Sequence, residues 1–97
     1  MYYFYVLKSE KDFKYYYGST SDLKRRLREH NNGKVSATSY RRPLSLTYYE
    51  AYQDLHQARL REQQVKTSGS VRKQLQNRIE LPDSSVGPAR PPAGNTV

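Results

Sequence analysis

The 97-residue chain contains no cysteine and no tryptophan, and only nine acidic residues stand against 17 lysines and arginines. Without cysteine, disulfides, thiolate-zinc centres and thiol nucleophiles are excluded. No run is long and apolar enough to span a bilayer, and no charged start leads into an apolar signal segment. A soluble, intracellular, cytoplasmic protein with no membrane partner is therefore expected. Proline is almost missing before residue 81: four of the five prolines and two of the five glycines fall in the last 17 residues, "LPDSSVGPARPPAGNTV". That composition predicts one folded domain over 1–80 and a disordered tail over 81–97. A domain this short has no room for a deep, multilayered active site, so any site must lie shallow, on one face.

The tail carries one acid, Asp83, and one base, Arg90, so the whole formal net charge of +8 belongs to the first 80 residues. Polyanions are the natural partners of such a surface. Tyrosine is the other excess: of ten residues, six crowd into "MYYFYVL" at the start and "KYYYG" at 14–18. Aromatic residues favour strands, so most of these phenols are expected to pack. Alternation puts Tyr3, Tyr5 and Leu7 on one face of the first strand and Tyr2, Phe4 and Val6 on the other, and it separates Tyr16 from Tyr15 and Tyr17. Periodicity does not say which face is which, and it leaves Tyr40, Tyr48 and Tyr49 unsorted.

Strands are predicted at "YYFYVLK" and "YYYGST", joined by the polar "SEKDFK" as a hairpin. Ser19, Thr20, Ser21 and Asp22 offer N-cap oxygens for a helix over "DLKRRLREHNNG", which Asn32-Gly33 would close. "LSLTYYEAY" reads as a third strand after Pro43. Asp54 can cap a second helix, "LHQARLREQQVK", and after "TSGS" a shorter helix runs through "VRKQLQNRI". The order is strand, strand, helix, strand, helix, helix. An α+β fold with a small three-stranded antiparallel sheet flanked by helices accommodates it.

Some polar residues fall where apolar ones belong. With each helical residue advancing about 100°, Leu23 and Leu27 share a face while Lys24, Arg25, Arg28 and Glu29 point to water. His30 lies about 20° from Leu23 and Arg26 about 60° from it on the same flank, so the two border the core together. A satisfied histidine and a snorkelling arginine would explain them as well as chemistry would. In the next helix Leu55, Ala58 and Val65 define an apolar stripe, and Glu62 sits inside it. An inward carboxylate needs a cation, a metal or a donor, and Arg26 or Arg59 would serve as a salt-bridge partner. Converging on one side of the sheet, these groups would make a phosphodiester-cleaving site: a base for water, positive charge for the transition state, and a Lewis acid. A single carboxylate suits Mg²⁺, and a tyrosine whose pKa is lowered by nearby cations would take the water proton.

"FYVL" at 4–7, "YYG" at 16–18, "DLKRRLREHN" at 22–31 and "LREQQVKTSGSVRKQL" at 60–75 together resemble the successive motifs of the GIY-YIG endonuclease superfamily. The likeness is to its small single-domain bacterial proteins, related to the nuclease module of excision repair, and it covers about residues 1–80 in motif order. The first motif falls on Tyr3-Phe4-Tyr5 and the second on Tyr16-Tyr17-Gly18. The resemblance implies that Tyr5 serves as, or relays to, the general base, with Tyr16 and His30 orienting it and the phosphate. It further implies that Arg26 stabilises the transition state and Glu62 holds one Mg²⁺ or Mn²⁺. Many catalytic members also carry an asparagine after the glutamate, and Asn77 is the only candidate in that region. The activity implied is metal-dependent, one-step hydrolysis of DNA, with RNA left open as a substrate, a link to DNA repair, and a protein partner to supply specificity. A second expectation is a nucleic-acid-binding module on the same scaffold with little or no cleavage. In either case Gly18, Arg25, Arg28, Lys34, Arg41, Arg42, Arg72 and Lys73 are the expected phosphate contacts.

Overall fold

The two tyrosine-rich segments pair with each other, as expected of residues that fit a pleated surface. In the computed structural model of the protein, which describes residues 1–80, β1 (Tyr2–Ser9) and β2 (Tyr15–Thr20) form an antiparallel hairpin. The tail expected to be disordered, 81–97, lies outside the described residues. Helix α1 (Leu23–Asn31) follows, then a 3₁₀ turn at Ser39–Arg41, strand β3 (Leu44–Tyr52), and helices α2 (Leu55–Thr67) and α3 (Gly69–Glu80). β3 pairs antiparallel to the other side of β1, so the sheet order is β2-β1-β3 and β1 is central. No helix among the described residues is long and apolar enough to cross a membrane.

The caps fall where side-chain oxygens were available. Asp22 Oδ1 accepts from the Arg25 amide at 3.0 Å, and Asp54 Oδ1 accepts from the His56 amide at 2.9 Å, each supplying an acceptor for a helix's first-turn donors. Gly33, at a φ of +78°, ends α1 in the left-handed conformation that glycine adopts without strain. The break between the last two helices is shorter than expected. A single extended residue, Ser68, separates α2 from α3, accepting at Oγ from the Val71 amide at 3.3 Å while its own amide donates to the Gln64 carbonyl at 3.0 Å.

The sheet is covered on both faces. Phe4, Val6 and Tyr17 pack with Val65 of α2 and Leu75 of α3, whereas Tyr5, Leu7 and Leu44 pack with Tyr16 and with Leu23 and Leu27 of α1. Alternation along β1 thus separates two different cores. In β3 it is interrupted by a bulge between Val6 and Leu7, where Val6 faces Tyr48 and Leu7 faces Leu46, leaving Thr47 as the extra residue. Tyr48 falls on the α2 face, where it packs beside Phe4 and Val6. Tyr49 lies opposite Tyr5 on the α1 face. Tyr15 and Tyr17 pack as expected, with Tyr15 Oη donating to Glu80 at 2.7 Å and Tyr17 Oη accepting from Gln76 Nε2 at 2.7 Å.

A polar cluster closes the α2 face. Glu50 of β3 accepts from Tyr48 and Tyr52, each at 2.6 Å, and from Arg61 Nε at 3.0 Å, and the Arg61 guanidinium lies 5.7 Å from the Phe4 ring centroid. Burial opposes ionisation of Glu50, but these donors hold its carboxyl below the ordinary range. Glu50→Ala leaves two hydroxyls and a half-buried guanidinium without their acceptor. It is expected to destabilise the domain by about 2–3 kcal/mol, read as a lower urea midpoint with unchanged m-value.

Candidate active site

The site is built on the contact between β1 and β2. Tyr5 is 2 % exposed and lies opposite Gly18, and its ring lies across the bare glycine backbone. A Cβ on Gly18 would stand 2.5 Å from Tyr5 Oη and 2.6 Å from Cζ. Gly18 therefore makes room for the Tyr5 phenol, a constraint that strand alternation does not reveal.

That phenol meets α1. Tyr5 Oη is 2.9 Å from His30 Nε2, and His30 Nδ1 is 2.7 Å from Thr38 Oγ1. The Thr38 hydroxyl points to the Val35 carbonyl at 3.4 Å. With that proton committed, Thr38 accepts from Nδ1–H and Nε2 accepts from Tyr5 Oη–H, an assignment made from the bonding pattern. The His30 ring is fully buried, edge-on to Tyr5 and to Tyr16 at centroid distances of 5.8 and 5.0 Å. It meets the Tyr5 hydroxyl, and no part of the ring reaches the surface.

The electrostatics correct a second expectation. Nearby cations were to lower the tyrosine pKa, and Arg26, beside the Tyr5 phenol, does favour the phenolate. Burial outweighs it, and Tyr5 is pushed up to about 12, with Tyr16 and Glu62 adding to the rise. Burial and the Arg26 charge together push His30 down to about 4, against a weaker pull from Glu29. Both partners of the Tyr5–His30 bond are therefore neutral at pH 7.

Arg26 is half-buried at the end of this row, its Nη1 bonded to Glu29 Oε1 at 3.0 Å. Glu62 approaches from the other side of the sheet. Helix α2 packs on the Phe4 face, yet β2 is an edge strand, so Glu62 reaches its rim and Oε1 accepts from Ser19 Oγ at 2.6 Å. Its second oxygen pairs with Lys66 Nζ at 2.6 Å. The salt-bridge partner is thus neither Arg26 nor Arg59. Lys66 Nζ also lies 5.8 Å from the centroid of the Tyr16 ring. Neither Ser19 nor Lys66 was singled out from the sequence; for Lys66 the available signal was its spacing of four residues from Glu62.

The remaining basic candidates divide. Arg41 is bonded to Asp12 at 2.8 Å and to the Lys14 carbonyl at 2.9 Å, Arg42 to the Ser39 carbonyl at 2.8 Å, and Arg72 to the carbonyls of Val65 and Lys66 at 3.1 Å. Donors of these three arginines are committed to the fold. Arg25, Arg28, Lys34 and Lys73 are exposed, with Arg25 3.6 Å from Glu29. Asn77 is exposed on α3.

A hollow of about 490 Å³ lined by Tyr3, Leu23, Leu27 and Tyr49 lies against the other flank of α1 and includes none of Tyr5, Arg26 and Glu62. No group of three or more histidines, cysteines or carboxylates that could cage a metal occurs among the described residues. Glu62 alone fits a hard divalent cation that completes its shell with water and substrate phosphate, as Mg²⁺ does.

The sequence over residues 1–76 matches the family model of the GIY-YIG catalytic domain. The chain belongs to the GIY-YIG family. It is 42 % identical over 74 residues to a UPF0213 protein of Bacillus pumilus, covering 75 % of this chain and 74 % of the relative. It is 36 % identical over 72 residues to a UPF0213 protein of Staphylococcus saprophyticus, covering 73 % and 87 %. The solution structure of a UPF0213 protein from Bacillus halodurans superimposes with a TM-score of 0.51 at 29 % identity, covering 82 % of this chain and 86 % of that one. The GIY-YIG domain places this chain with nuclease-type proteins.

Two predictions test the buried pair. Folded His30 has a pKa depressed to about 4 against about 6.5 unfolded, so between those values the unfolded chain binds the extra proton. Stability is expected to fall by roughly 3–4 kcal/mol as the pH drops through that window, a slope that His30→Gln removes in urea titrations. Gly18→Ala drives its methyl into the Tyr5 ring and is expected to cost about 1–3 kcal/mol and to displace the Tyr5 and His30 ring resonances in NMR spectra.

Proposed function

We propose that this protein is a divalent-metal-dependent endonuclease that hydrolyses DNA phosphodiester bonds by one-step attack of water, with RNA open as a further substrate. One observation carries the reading: a buried phenol–imidazole pair, a guanidinium and a single carboxylate meet at the rim of β2, close enough that Arg26 and Glu62 both bear on the ionisation of Tyr5. Arg26 holds the phosphate and offsets charge developing on its oxygens. As a water oxygen bonds to phosphorus, its proton passes to Tyr5 Oη while Tyr5 hands its own to His30 Nε2. A phosphate on Arg26 offsets the repulsion that helps keep His30 neutral, so the imidazole gains basicity when substrate is bound. The bond from phosphorus to the leaving oxygen breaks, and that oxygen takes a proton from solvent. Glu62, steadied by Ser19, would hold Mg²⁺ or Mn²⁺, which when bound supplies positive charge beside the leaving oxygen.

The net charge of +8 supports phosphate binding whether or not cleavage follows. Exposed Arg25, Arg28, Lys34 and Lys73 are the side chains available to track a backbone, and so shallow a site leaves choice of target to a protein partner. The test is a gel assay of the purified chain on single-stranded, duplex and branched DNA and on RNA, with and without Mg²⁺ or Mn²⁺. Metal-dependent products are expected, with Arg26→Ala and Glu62→Ala slowing cleavage at least ~10²-fold while binding stays measurable. Wild-type rates in both variants would overturn the assignment. A chain that only binds would give no metal-dependent product, and an affinity falling steeply with salt.

A further inference from the structure

The carboxylate assigned to the metal already has a cation on it. Glu62 Oε2 is 2.6 Å from Lys66 Nζ, and Oε1 is held at 2.6 Å by Ser19 Oγ. A lysine four residues after a glutamate is ordinary on a helix, and an exposed pair of this kind is weak. Two features distinguish this one. Ser19 holds the carboxylate from β2, so Glu62 does not simply follow its lysine into water. The ammonium also stands 5.8 Å from the Tyr16 ring centroid while it is bonded to Glu62, and Tyr16 neighbours Tyr5 with ring centroids 6.5 Å apart, so on leaving the carboxylate it still has an aromatic face beside it next to Tyr5.

We propose that Lys66 is the resting occupant of the Glu62 carboxylate, which a divalent cation must displace, and that the displaced ammonium moves over Tyr16 onto the substrate phosphate. The inference rests on the proposed use of a divalent ion at Glu62. A doubly charged ion arriving beside an ammonium is repelled, so the free protein binds metal weakly. A phosphate near Tyr16 gives the ammonium a new partner, so substrate and metal favour each other's binding. Lys66 thereby acts through Glu62 on the metal and is a positioning residue until substrate arrives.

The test is Mn²⁺ binding to the full chain without nucleic acid, followed by loss of the free-ion electron paramagnetic resonance signal. Lys66→Gln is expected to bind Mn²⁺ about threefold or more tighter than wild type, Lys66→Arg to stay near wild type, and Glu62→Gln to lose binding. In saturating Mn²⁺, Lys66→Gln is also expected to bind an oligonucleotide more weakly than wild type. Lys66 is exposed, so its variants should retain the wild-type helix content by circular dichroism. If Lys66→Gln binds Mn²⁺ no tighter than wild type while Glu62→Gln loses it, the competitor role fails and the metal site stands. If Glu62→Gln binds Mn²⁺ like wild type, the metal site fails and the competitor role with it.

Discussion

The passage of the Tyr5 ring across Gly18 governs the rest of the site. Antiparallel pairing puts the two residues opposite each other, and the missing Cβ lets the phenol lie flat against β2 instead of standing away from the sheet. From there its hydroxyl reaches His30 beneath α1, and the imidazole reaches on to Thr38. One hydrogen-bonded chain thus ties the central strand, the first helix and the loop after it. The helix cannot slide without breaking a fully buried polar bond, and such bonds are costly to leave unmade. Arg26, one turn before His30 on the same flank, inherits its position from that anchor.

Burial and charge compete at this anchor, and burial wins in the resting state. Raising the Tyr5 pKa from 10 to about 12 corresponds to roughly 2–3 kcal/mol of bias towards the neutral phenol. Arg26 opposes that bias without cancelling it, and at His30 burial, reinforced by the same positive charge, keeps the ring neutral. The pair is therefore neutral at rest, with Arg26 acting on both of its members. On the far side of β2 the carboxylate is managed differently, half-buried at the rim and held between a hydroxyl and an ammonium. The edge position of β2 makes the arrangement possible, because only an edge lets groups from opposite faces of a sheet approach one another.

Much of the fold was legible because the local signals agree. Aromatic runs form the strands, Asp22 and Asp54 cap helices that an apolar stripe had already outlined, and Gly33 ends α1 in a conformation few other residues adopt. The residues that broke the helical pattern, Arg26, His30 and Glu62, are those the fold brings to the β1–β2 rim. What misled was local too. The short polar "TSGS" read as a wider gap than the single residue Ser68 that the helix junction needs. That Arg41, Arg42 and Arg72 each commit donors to backbone carbonyls was not legible, because a composition does not reveal which guanidinium will find carbonyls inside its own fold.

By itself the sequence determined the element order, the strand alternation that sets Tyr5 and Tyr16 apart from Tyr15 and Tyr17, and the side chains available for phosphate chemistry. These depend on neighbours within a few residues, where propensity, capping and period act. Tertiary structure alone decided which face each helix covers, that Gly18 serves a phenol, that burial overrides Arg26 at Tyr5, and that Lys66 rather than an arginine meets Glu62. Each of these turns on distances between groups far apart in the chain, and desolvation and Coulomb energy depend on those distances rather than on order along the sequence.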